Sequence, residues 1–171
     1  GFRIMSRLEM PDNYGGMQIT CATLGTFAKY PGNSLSGWKK CGFFQQEAKL
    51  FSEVAEYCGM IEKTPGTWCR HPLSFLLEAA DDIAYLIVDF EDGHRLGLVD
   101  YHELEERFLE IIDSEKTRKY VKTLESPVRR AEFLRAKAIG VLIPKVTQVF
   151  IEHHDELIHG ELPCSLIDYL D

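Results

Sequence analysis

Asp81, Tyr85 and Asp89 follow one another at intervals of four in the segment His71 to Asp92, HPLSFLLEAADDIAYLIVDFED. On a helix that spacing places them along one side, over roughly 12 Å at about 1.5 Å of rise per residue. Two carboxylates and a phenol in a row can hold a cation or accept hydrogen bonds from hydroxyl groups. Glu78 and Asp92 extend the same narrow polar strip. The rest of the segment is apolar. Leu73, Leu76, Leu77, Ala80, Ile83, Ala84, Ile87 and Val88 form one stripe, and Phe75, Ala79, Leu86 and Phe90 point roughly the other way. A helix apolar on nearly all sides is expected to be buried. Carboxylates on such a helix repel and are costly to desolvate, so a cation, basic side chains or a water-filled cleft must compensate. Two readings follow: a functional site, or a solvated acidic stripe on a partly exposed helix.

The elements that must carry this strip are helical. Met17 to Lys29 is expected to form a helix, although its threonines lower the propensity. Gln45 to Cys58 sets Leu50, Phe51, Val54 and Ala55 on one stripe and meets a natural stop at Gly59. Pro72 suits the first turn of the strip's helix, which is expected to run to about Glu91 and be closed by Gly93. Asp100 caps a helix from Tyr101 to Ile112, and Ser114 to Leu124 follows. Ser126-Pro127 opens a long helix from Val128 to His153, which Pro144 is expected to kink or split. Leu162 to Leu170 reads as one more docked turn. Loop signals gather between residues 10 and 40, in Pro11-Asp12-Asn13, Gly15-Gly16 and Pro31-Gly32-Asn33-Ser34. No alternation of period two stands out, so the expected class is all-α.

The chain has 171 residues, 45% hydrophobic and 27% charged, enough for a packed core and unlike collagen or low-complexity disorder. No stretch approaches a membrane span, and the start, Gly1-Phe2-Arg3-Ile4, lacks a signal-peptide pattern and an initiator Met. The expected setting is the cytoplasm, without a membrane. A net charge of −8 does not suit non-specific nucleic-acid binding. The five cysteines are odd in number, widely spaced and form no CxxC pair, so they are expected to be reduced thiols.

Particular residues carry a further signal. Arg70-His71-Pro72, followed by Glu78-Ala79-Ala80-Asp81-Asp82-Ile83-Ala84-Tyr85 and Asp89, resembles the deoxyguanosinetriphosphate triphosphohydrolase (dGTPase) family, within the HD superfamily of phosphohydrolases. Lys29-Tyr30-Pro31, Lys40-Cys41-Gly42-Phe43-Phe44 and Arg135-Ala136-Lys137-Ala138-Ile139 are similar in the same order. The resemblance covers essentially the whole chain. It implies an all-α, HD-superfamily helical fold, with residues 1–171 as one helical unit of a longer enzyme whose first, HD-bearing helices are absent. It implies hydrolysis of dGTP or another deoxynucleoside triphosphate to the deoxynucleoside and tripolyphosphate, with Mg²⁺ or Mn²⁺ as cofactor. By resemblance Asp81 is a metal ligand. Tyr85 and Asp89 meet the sugar, with Asp89 accepting from the 3′-hydroxyl. Lys29 and Lys40 meet the triphosphate.

The same resemblance marks a departure. The family's upstream His and His-Asp ligands have no counterpart here, so no catalytic residue is assigned and this portion alone is expected to be inactive. His154-Asp155 stands after Asp81, against the family order, and is expected to be a surface stretch. His71, His94, His102 and His159 are expected at the surface or at helix caps. Arg129, Arg130, Arg135 and Lys137 form either a solvated face or a nucleotide or subunit contact. The alternative to the enzyme is a non-catalytic helical module for oligomerisation or effector binding; a third reading is an HD phosphohydrolase for another nucleotide. A homo-oligomer is expected from the amount of apolar helical surface.

Overall fold

The computed structural model describes residues 1–10, 12 and 14–170; Pro11 and Asn13, part of an expected loop signal, lie outside them. The chain is mostly α-helical and divides into two compact units. The first comprises Gly1–Glu78 and Glu152–Leu166, the second Ala79–Ile151 and the segment from Ile167.

In the first unit a π-helical turn, Ile4–Leu8, precedes α1 (Cys21–Phe27), α2 (Ala48–Tyr57) and the start of α3 (Pro72–Ala84). α1 is shorter than Met17–Lys29 because Thr20 caps it, its side chain accepting from the Thr23 N–H. α2 follows a 3-10 turn at Gln45–Glu47 and ends ahead of Gly59, as the pattern anticipates. α8 (His154–His159) returns the chain to this unit. The core is aromatic. Phe43 and Phe51 stack with centroids 4.1 Å apart, and Phe2 and Trp68 meet Phe51 at 5.4 and 5.3 Å. Leu24, Ala28, Val54 and Ala55 complete it. Ring pairs of this kind add specific geometry to the burial of apolar area.

One feature departs from the all-α expectation: an antiparallel hairpin of β1 (Glu62–Thr64) and β2 (Thr67–Trp68) turning at Pro65-Gly66. It is too short for an alternating pattern to show. Gly32 and Thr67 form a bridge beside it, and the Trp68 N–H donates to the Pro31 carbonyl at 2.9 Å. These bonds fix the chain just after Lys29 and Tyr30.

In the second unit α3 continues through a π-helical turn, Tyr85–Asp89, into α4 (Phe90–Arg95). The helix therefore passes Gly93 and stops at Leu96. Gly97 is the terminator instead: its φ is 73°, and its N–H donates to the His94 carbonyl. α5 (Tyr101–Ile112) is capped by Asp100, and α6 (Glu115–Val121) by Ser114. α7 (Pro127–Glu152) runs through Pro144 without a break. Ala131, Leu134 and Ala138 are buried before that proline and Val146 and Val149 after it, so packing on both sides outweighs one lost hydrogen bond. A 3-10 turn at Ile167–Tyr169 is the expected short C-terminal turn. Ile83, Ile87, Leu104, Phe108, Val121 and Leu134 are buried in this unit. No helix among the described residues is long and apolar enough to cross a membrane.

Candidate functional site

α3 and its continuation turn one line of side chains inward: Phe75, Ala79, Ile83, Ile87 and Glu91, every fourth residue, are all buried. Leu73, Leu77, Leu86 and Val88 are exposed, and so are Asp81, Tyr85 and Asp89. The expectation of a helix buried all round is thus not met in this chain. The apolar pattern reports how much of the helix avoids water, and it carries no record of which neighbours cover each side. Glu91, at the inward end of the line, is compensated by arginine. Its carboxylate receives Arg135 at 2.7 Å and Arg95 at 3.0 Å.

The π-helical turn lies across the strip. In an α-helix each step of four residues carries a side chain about 40° past the previous one, since a turn holds 3.6 residues. A wider turn, closed by i→i+5 bonds, removes that drift. Tyr85 and Asp89 bound this turn, with Tyr85 60% exposed. Their line is therefore straighter than α-helical spacing alone would make it.

Lys29 and Lys40 sit in the first unit and converge on Tyr30. Lys40 Nζ donates to the Tyr30 hydroxyl at 3.2 Å and stands 5.0 Å from the ring centre; Lys29 Nζ is 6.0 Å from the same centre. Gly42 permits the approach, because a Cβ there would fall 2.6 Å from the Tyr30 carbonyl oxygen. Lys29 Nζ also lies 2.8 Å from Glu78 Oε1, while Arg70 Nη2 donates to Glu78 Oε2. Arg70 stacks on the Phe75 ring at 4.1 Å. Burial works to raise the Glu78 carboxyl, but the bonds from Lys29 and Arg70 outweigh it and hold the carboxyl below its ordinary range. The Glu78 ties were not foreseen. Their only trace in the sequence is a carboxylate inside a greasy helix with basic residues elsewhere in the chain to match it.

The remaining histidines and arginines sort as follows. His71 caps α3, its Nδ1 accepting from the Leu73 N–H at 3.2 Å and facing Thr26 Oγ1 at 3.2 Å; burial lowers its pKa. His154 and Asp155 are exposed and pair with each other at 3.2 Å. Arg135, one of the four clustered cations, is engaged inward with Glu91. The cysteines are free thiols. Among the described residues no three His, Cys, Asp or Glu side chains come together to hold a metal.

No family model matches the chain. Individual relatives do. The chain is 42% identical over 181 residues to a deoxyguanosinetriphosphate triphosphohydrolase-like protein of Synechocystis sp., covering 98% of this chain and 40% of that protein. It is 35% identical to a protein of the same name from Pseudomonas aeruginosa (99% and 40% covered) and 32% identical to one from Listeria monocytogenes (97% and 38%). The chain thus spans about two fifths of the length of these relatives. Matched almost from end to end at these identities, the chain belongs to the deoxyguanosinetriphosphate triphosphohydrolase-like family.

Proposed function

We propose that this chain is the substrate-binding portion of a cytoplasmic deoxynucleoside triphosphate triphosphohydrolase of the HD superfamily, which releases the deoxynucleoside and tripolyphosphate. The supporting observation is the strip of Asp81, Tyr85 and Asp89, which stand exposed at intervals of four on one continuous helix. On this reading Tyr85 packs against the sugar and Asp89 accepts a hydrogen bond from its 3′-hydroxyl. A substrate lacking that hydroxyl would leave the carboxylate unpaired, which is the basis for rejecting it. Lys29 and Lys40 offset the charge of the phosphates.

The reading gives Asp81 to a divalent ion, Mg²⁺ or Mn²⁺. One carboxylate does not complete the coordination of such an ion, and among the described residues no group of three His, Cys, Asp or Glu side chains comes together to do so. On this reading the remaining ligands come from outside the described residues, and the metal's chemistry belongs to the full-length protein. That protein is proposed to be a homo-oligomer, in keeping with the exposed Leu73, Leu77, Leu86 and Val88.

The test uses the full-length protein with Mn²⁺ or Mg²⁺ and dGTP, with the products separated by charge. Tripolyphosphate is the expected product; orthophosphate or pyrophosphate alone would overturn the reading. Asp81→Ala is expected to abolish turnover. Asp89→Ala is expected to reduce the preference for dGTP over its 3′-deoxy analogue, and an unchanged preference removes Asp89 from the site.

A further inference from the structure

We propose that Glu78 is the positioning residue for Lys29. Its carboxylate fixes the Lys29 ammonium in the place from which it meets an anionic phosphate oxygen. The inference rests on the proposed role of Lys29 and concerns only residues of the first unit.

The geometry has three parts. Glu78 is a carboxylate 14% exposed with one oxygen for each of two cations, Lys29 at 2.8 Å and Arg70 on the other side. Arg70 is itself held in place, because its guanidinium carbon stands over the Phe75 ring, 4.1 Å from the centroid. Lys29 is the only one of the three with a third of its side chain exposed. The carboxylate thus bridges an anchored cation to one that reaches solvent. A lysine has four rotatable carbons and loses much freedom when it binds an anion. Holding it beforehand removes that cost from the binding step. The charges agree with this role, since the Glu78 carboxylate faces two cations, Lys29 and Arg70. Lys40 adds another cation near Tyr30, whose ring both lysines approach. A carboxylate placed only for neutrality would weaken an anion site, whereas one that orients the ammonium strengthens it.

That contrast sets the test, made on the full-length protein. Inorganic tripolyphosphate is titrated calorimetrically in metal-free buffer, and KM and kcat for dGTP are measured separately. Glu78→Gln removes a negative charge, so a purely electrostatic role predicts tighter tripolyphosphate binding. Positioning predicts the reverse, about tenfold weaker binding, with KM rising more than kcat falls. Glu78→Asp keeps the charge balance, and with it the fold, but shortens the reach by one methylene. It is expected to weaken binding in the same direction, and unchanged or tighter binding in this variant overturns the proposal. Lys29→Met separates the two layers of argument. If it leaves tripolyphosphate affinity unchanged, the role of Lys29 itself fails. If Lys29→Met weakens binding and Glu78→Asp does not, only the positioning role fails. In a Lys29→Met background, Glu78→Asp is expected to have no further effect, and an additional tenfold loss there would show that Glu78 acts elsewhere.

Discussion

Arg3 grips Glu47 along one edge of its guanidinium: Nε donates to Oε1 at 2.9 Å and Nη2 to Oε2 at 3.0 Å. Glu47 is fully buried and Arg3 is partly exposed, so the pair ties the N-terminal π turn to the 3-10 turn before α2. Arg3→Met is expected to cost on the order of 2 kcal/mol, because a buried carboxylate loses both of its close guanidinium bonds and keeps the more distant Arg7 and the Phe44 backbone. The Arg3 hydrogen bond is the main influence holding the Glu47 carboxyl low, against the opposing effect of burial. A depressed carboxyl contributes stability above its unfolded value of 4.5 and loses it as pH falls through the lower folded value. Urea midpoints measured from pH 6 to pH 3 should therefore fall more steeply for the wild type than for Arg3→Met. Parallel curves would refute the linkage.

Glu91 and Arg135 make the corresponding bond in the second unit, at 2.7 Å. Arg135→Met, which strands the carboxylate with Arg95, is expected to destabilise by about 3 kcal/mol. Adding Glu91→Leu should recover much of that loss, since an apolar pair of similar volume needs no desolvation of charge. Denaturant unfolding of the two variants decides the matter; a double variant less stable than Arg135→Met would contradict it.

His71 should make stability fall on mild acidification. Its ring is buried enough to lower its pKa, and Nδ1 must stay unprotonated to accept from Leu73. Above the unfolded value of 6.5 both states are neutral and pH has no effect through this residue. Below it the unfolded chain takes up the proton first, so stability drops until the folded ring protonates as well. His71→Asn keeps a capping acceptor and should flatten the thermal midpoint between pH 7 and pH 5.5. A wild type with no slope in that window would exclude the effect.

Gly160 closes α8 with φ 67°, and a Cβ there would fall 2.3 Å from Cys69 Sγ and 2.6 Å from Cys69 Cβ. Gly160→Ala is expected to cost about 2 kcal/mol or more, by strain and overpacking together. Cys69→Ala should fail to restore stability, because the obstructing Cβ remains. Rescue by that second change, followed by thermal melting, would show that only the sulfur is in the way.

Helices announced themselves where caps and stops are local. Asp100, Ser114 and Pro127 mark α5, α6 and α7 at or next to their observed starts. The hairpin at Glu62–Trp68 did not, since five strand residues give no usable period and its partner, Gly32, is distant in the chain. Spacing also singled out Asp81, Tyr85 and Asp89, because a helix repeats locally. It could not say that their side of the helix is exposed, nor that Glu78 binds Lys29 across 48 intervening positions, because tertiary neighbours leave no periodic trace. The stop at Gly97 in place of Gly93 has the same origin: Leu98 and Val99 donate back to the Gly93 carbonyl, so Gly93 serves the turn from inside the helix.

The π-helical turn at Tyr85–Asp89 also works as a phase setting. Upstream of it the helix presents Asp81 to solvent, and downstream it presents Glu91 to Arg135. Both orientations are correct only because one wide turn separates them. Removing a single residue from the α-helical stretch between Asp81 and Tyr85 would shorten the helix by about 1.5 Å, a trivial length, yet rotate all that follows by about 100° relative to Asp81. Glu91 would swing off its arginines while Asp89 left the line of Asp81. The helix therefore tolerates changes in what its residues are more readily than any change in how many there are.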